Sequence, residues 1–211
     1  MNQTPPSARI VIRRIRWLSV VGLVVVIAAI IAALGYQLPK SSSSSTASPL
    51  NTLRVEHRGE LGEADGAVPD GVTVFDDEIP AVANLDPDLL KALRQAAMDA
   101  ADNGVELYVN SGWRSPEYQN QLLREAVSKH GSEEEAARWV ATATTSPHVS
   151  GDAVDLGHSD TTAWLSKHGA EYGLCQIYRN EPWHYELRTN ATDRGCPRMY
   201  ADPTQDPRMQ Q

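Results

Sequence analysis

Two short stretches of this 211-residue chain gather side chains able to do hydrolytic chemistry. The run SPHVSGDAVD, from Ser146 to Asp155, offers the imidazole of His148 and the carboxylate of Asp155. The run EPWH, from Glu181 to His184, offers one more of each. A zinc ion working on a peptide bond needs about three protein ligands, an open position for water and a separate carboxylate to take that water's proton. His148, Asp155 and His184 suit the ligand roles, and Glu181 suits the general base. Two neutral imidazoles and one carboxylate leave such a site with a net charge of about +1, which draws a bound water's pKa toward ~7.

The spacing has a local rationale. Gly151 lets the chain turn tightly after His148, and the small Ala153 leaves room for Asp155 to return to the same ion. Pro182 forbids a helix through Glu181, so the pair is not arranged as in the HExxH helix of other zinc peptidases. Three residues apart on a straight strand, Glu181 and His184 face opposite ways, so a bend at Pro182 is required. Either spacing alone is common by chance. His158, three residues past Asp155, competes as a donor; His57, His130 and His168 read as solvated surface. Trp113, Trp139, Trp164 and Trp183 read as core or cleft-wall residues.

The elements that must hold these residues begin at Asp86. Asp86 is an N-cap, Pro87 suits a first helical position, and Leu89, Leu90, Leu93, Ala96, Ala97 and Ala100 recur at helical spacing as far as Gly104. Val105 to Asn110 alternates like a strand. Ser115-Pro116-Glu117 opens a second helix ending at Gly131, and Ser132 with Glu135 forms a capping box for a third, through about residue 141. Strands are expected at Ala153 to Leu156, Cys175 to Tyr178 and Trp183 to Leu187, with a helix from Thr161 to about Tyr172. Irregularly interleaved strands and helices with short connections indicate an α+β domain, not a doubly wound parallel sheet.

Charge and hydropathy divide the chain. Residues 1–40 carry five basic side chains and no acidic one, which leaves 14 basic against 27 acidic beyond. A body that acidic repels polyphosphate, so nucleic acid is excluded as a partner. Trp17 to Tyr36 is an uncharged apolar run of about 20 residues, or ~30 Å as a helix, the thickness of a bilayer core. It is expected to be a transmembrane helix, with Arg9, Arg13, Arg14 and Arg16 keeping the N-terminus cytoplasmic and the body outside. The alternative is a cleaved signal peptide, whose apolar core is shorter, about 7 to 15 residues. The expected organisation is a basic tail (1–16), the helix (17–36), a Ser-rich tether and partly ordered arm (37–84), the domain (85–200) and a C-terminal tail (201–211). Outside the cytoplasm Cys175 and Cys196 are expected to be bonded, the alternative being two buried thiols; the bond stabilises by ~3 kcal/mol on a chain-entropy estimate.

Together these motifs resemble the zinc D-alanyl-D-alanine carboxypeptidases and dipeptidases of the VanY and VanX type. The resemblance rests on SPHVSGDAVD, on EPWH and on SGWRS upstream, Ser111 to Ser115, in that order, and runs from about Leu85 to Leu187. It implies a single Hedgehog/DD-peptidase-like domain, a small antiparallel sheet flanked by helices. It also implies zinc on His148, Asp155 and His184, Glu181 as catalytic acid/base, and Arg114 as the cation facing the scissile carbonyl. Gln121 and Trp113 would contact substrate, a peptidoglycan stem peptide ending in D-alanine, and Ser146 would either fix the local turn or bind that substrate peripherally. Trp113 stands where the family usually has Tyr, and the interval CQIYRN before Glu181 is short, which implies a more open cleft. The same site could serve an L,D-carboxypeptidase or a D,D-dipeptidase. A wall-binding module that keeps the zinc but not the activity, as the related Hedgehog signalling domain does, has no need of Glu181 and Arg114.

Overall fold

The computed structural model describes residues 61–210. The basic tail, the expected transmembrane helix and the Ser-rich run lie outside the described residues. Among those described, no helix is long and apolar enough to cross a membrane.

The fold is α+β. Helix α1 (Pro80–Ala83) leads into α2 (Pro87–Ala101), where Asp86 caps the first turn by accepting from the amides of Asp88 (2.9 Å) and Leu89 (3.1 Å). Strand β1 (Tyr108–Ser111) is followed by α3 (Pro116–His130), capped by the Ser115 hydroxyl, and by the short α4 (Glu133–Ala136). Then come β2 (Ala153–Gly157), α5 (Ser159–His168), β3 (Leu174–Gln176), β4 (His184–Leu187) and α6 (Ala191–Arg194). The four strands form one antiparallel sheet in the order β1-β2-β4-β3.

The sheet separates a core from a site. Leu89, Leu93, Ala96, Ala97 and Ala100, the helical stripe read from the sequence, pack with Val109, Val154, Leu156, Leu174, Tyr185 and the α5 residues Trp164 and Leu165. Because strand side chains alternate, the neighbours Ala153, Asp155, His184 and Glu186 project from the other face.

Several boundaries differ from expectation. The third helix stops at Ala136, not near residue 141, because the Ala141 carbonyl accepts from the Gln119 side chain (2.8 Å) instead of from a helical turn. Only half of the capping box forms there, the Ser132 hydroxyl accepting from the Glu135 amide (3.2 Å). Compact structure also extends past both ends of the 85–200 segment: Val72, Val74 and Val82 join the core, and residues 202–210 fold back on the sheet. Cys175 and Cys196 are bonded, with Cα atoms 5.5 Å apart.

Candidate active site

The convergence of the three expected ligands follows from register. Asp155 on β2 and His184 on β4 are direct cross-strand partners, so their side chains leave the sheet side by side. His148 arrives from the turn before β2. Gly151 makes that turn possible with φ +81°, and a Cβ there would lie 2.5 Å from the Asn84 carbonyl oxygen, so glycine is needed for conformation and for space. One donor atom from each of His148, Asp155 and His184 lies within 4.8 Å of the others. The His184 Nδ1 atom is 3.1 Å from Asp155 Oδ1 and 3.3 Å from His148 Nε2.

Both imidazoles are oriented from behind. His148 Nδ1–H donates to the Gly112 carbonyl (2.8 Å), which leaves Nε2 free to ligate. His184 Nε2–H donates to Glu186 Oε1 (3.3 Å), which frees Nδ1. Burial and the Arg114 guanidinium keep His148 below its ordinary pKa, so it is neutral, as a ligand must be. Burial alone would raise Asp155, but the His148 and His184 imidazoles hold it well below the usual carboxylate range. For His184 burial is likewise outweighed, by the bonds to Asp155 and Glu186, and its pKa rises to about 9. A cation has to displace that proton to bind there.

The bend expected at Pro182 is present: the His184 amide donates to the Glu181 carbonyl (3.1 Å), closing a turn with Pro182 and Trp183 at its centre. That turn brings Glu181 Oε2 to 3.8 Å from His184 Nδ1. Burial, only partly offset by the charge on His184, raises the Glu181 carboxyl to about 7, the range a general base at neutral pH requires. Its Oε1 atom and the Ser146 hydroxyl are buried without a hydrogen-bond partner among the described residues, and both residues line the same cleft of about 440 Å³.

Arg114 also lines this cleft, tied on three sides: Nε donates to Ser111 Oγ (2.8 Å), Nη1 to Gln119 Oε1 (3.0 Å) and Nη2 to Asp155 Oδ2 (3.1 Å). The SGWRS run thus supports two of the three expected ligands, Gly112 holding His148 and Arg114 holding Asp155.

Two expected substrate contacts lie elsewhere. Gln121 does not line the cleft; it donates to Glu125 (2.8 Å) one turn on. At 100° per residue Gln121 is some 200° around α3 from Gln119, and it is Gln119 that faces the cleft. Trp113 is absent from the cleft wall as well, its amide spent on the Ala81 carbonyl (2.8 Å); the aromatic walls are Trp139 and Trp183. His158 is not part of the ligand group, its ring lying against Tyr108, whereas His130 is half-buried in the cleft wall, stacked on Trp139. Sequence reasoning did not single out Glu186, though a carboxylate two residues beyond His184 on a strand must share its face. Nothing in the sequence signals Arg208 or Met209, which reach the site from the far end of the chain.

A family model described as "VanY: D-alanyl-D-alanine carboxypeptidase" matches residues 82–189, just over half of the chain. A curated D-alanyl-D-alanine carboxypeptidase of Enterococcus faecalis (strain ATCC 700802 / V583) is 32% identical over a stretch covering 43% of this chain and 44% of that protein, so the chain spans under half of the relative's length. Among solved structures, a mutant vancomycin-resistance D,D-pentapeptidase VanY from a VanB-type cassette, in complex with Zn(II), is 26% identical over 49% of this chain and 72% of its own, with a TM-score of 0.46. The LdcB LD-carboxypeptidase is 25% identical over 61% of this chain and 71% of its own, with a TM-score of 0.48.

Proposed function

The chain belongs to the VanY family of D-alanyl-D-alanine carboxypeptidases, and from that premise we propose that it is a zinc D,D-carboxypeptidase that removes the terminal D-alanine from peptidoglycan stem peptides. The observation that carries this reading is the convergence of His148, Asp155 and His184 within 4.8 Å, with the Glu181 carboxyl beside them, its Oε1 atom buried without a hydrogen-bond partner among the described residues. Two imidazole nitrogens and a carboxylate oxygen suit zinc and leave a coordination position open. The uncharged stretch over residues 17–36 would anchor the domain on the outer side of the cell membrane, next to the wall.

His148, Asp155 and His184 would hold the ion. Zinc bound there supplies Lewis acidity, lowering the pKa of a water and polarising a carbonyl. Glu181, buried and raised to about 7, accepts the attacking water's proton and returns it to the amine of the departing D-alanine. Arg114 spends three of a guanidinium's five N–H groups on Ser111, Gln119 and Asp155, and the remaining two meet the carbonyl oxygen as it gains negative charge. Ser146 offers its unpartnered hydroxyl to the substrate backbone, and no acyl-enzyme is needed.

Incubating the protein with pentapeptide and tetrapeptide muropeptides and weighing the products tests this. Loss of a single alanine from the pentapeptide alone supports it. Cleavage of the tetrapeptide, or release of a dipeptide, replaces the substrate assignment with an L,D-carboxypeptidase or a D,D-dipeptidase. Intact peptides from a fully zinc-loaded protein leave only a wall-binding role.

A further inference from the structure

Residues 202–210 follow the end of the family match at residue 189, yet they close over the back of the proposed metal site. Glu186, the acceptor for His184 Nε2, is 1% exposed, and a carboxylate so buried is costly unless it is paired. Arg208 pairs it in a two-pronged contact: Nη1 donates to Glu186 Oε2 (2.7 Å) and Nη2 to Oε1 (3.1 Å), the same oxygen that receives His184. Arg188 also reaches Glu186, but only at Oε2 (2.6 Å). Arg208 is itself held by Asp206, whose Oδ2 accepts from the Tyr178 hydroxyl (3.0 Å), and the Tyr178 ring lies against the His184 imidazole at 5.0 Å between centroids. The ring of His184 is therefore fixed at its edge through Glu186 and at its face through Tyr178, and both supports end on one C-terminal ion pair. Asp202 ties the same segment to Arg138, accepting from Nε (3.3 Å).

We propose that Arg208 is a positioning residue for the metal centre, acting through Glu186 to fix the ring orientation and tautomer of His184. The role rests on the reading of His148, Asp155 and His184 as metal ligands. An outer carboxylate that holds a ligating histidine, and is itself held, commonly changes metal affinity 10- to 100-fold when disturbed.

The test is the zinc dissociation constant of the full chain, by competition with a chromophoric chelator, together with the absorption spectrum of the Co(II) form. Arg208→Ala is expected to bind zinc about 10-fold more weakly and to shift the Co(II) bands, with partial recovery in Arg208→Lys. Arg94→Ala is the control for a merely structural loss, because Arg94 bonds Asp77 and the Val74 carbonyl (2.9 Å) without touching the site. It should lower the melting temperature and leave zinc affinity unchanged. Should Arg208→Ala fail to fold, Glu186→Gln, equal in shape, carries the same expectation. Wild-type affinity and an unshifted Co(II) spectrum in the folded variant overturn the proposal. A wild-type chain that takes up no zinc overturns the ligand reading itself, and this role with it.

Discussion

The strand pair β2–β4 has two buried faces built on opposite principles. On one, Val154, Leu156 and Tyr185 meet the leucine stripe of α2, and stability comes from apolar area removed from water. On the other, Asp155, His184 and Glu186 are nearly as buried but are held by directed bonds, each donor committed to a particular acceptor. Residues one position apart on a strand thus serve different ends. The apolar face tolerates any filling of similar volume, whereas the polar face tolerates little, because a buried polar atom without its partner costs ~1–3 kcal/mol.

The sharpest way to break the comparison is to remove a group that contributes chemistry without holding structure. Glu181→Ala should lower turnover of a pentapeptide stem ~100- to 10,000-fold while zinc content and melting temperature stay near wild type. An active, zinc-loaded variant would refute the role of Glu181. Leu93→Ala on the apolar side does the reverse. Leu93 has no exposed surface, so its truncation should cost about 2–5 kcal/mol in chemical denaturation and leave zinc affinity alone. A weaker metal site in that variant would mean that the faces are not independent. Reducing the Cys175–Cys196 bond, whose cysteines are 21 residues apart, should cost ~3 kcal/mol, measured as a lower denaturation midpoint in reductant.

The smallest effect expected is pH dependence. Burial would raise Glu186, but its bonds from His184 and Arg208 hold it well below the ordinary value of 4.5. Asp206 is lowered from 3.8 in the same way, its burial outweighed by Arg208. A depressed folded-state pKa means that the unfolded chain binds more protons as the solution is acidified. The stabilisation is therefore complete above the ordinary values and fades as pH falls through 4.5 and 3.8. The melting temperature should drop as the pH is lowered from about 5 to about 3.5, and drop less in Arg208→Ala. Equal slopes would remove the ion pair from the account.

What the sequence made legible follows the same division. The α2 stripe and its Asp86 cap are local patterns, and they folded as read. The convergence of His148, Asp155 and His184 was legible because each motif carries its own turn device, Gly151 in one and Pro182 in the other, and because cross-strand register then joins them. On α3 it is Gln119, not Gln121, that turns to the cleft, because its side chain accepts from Arg114 of the motif upstream and donates to the Ala141 carbonyl, while Gln121 is spent on Glu125. The hold of Arg208 on Glu186 depends on a fold-back spanning 22 positions, for which no periodicity exists.

Everything functional depends on three side chains sharing one cation. Zinc bound per full-length chain, measured after dialysis for the wild type, His184→Ala and Asp155→Ala, tests this directly. One equivalent in the wild type and almost none in either variant is the predicted result; equal zinc in all three would contradict it.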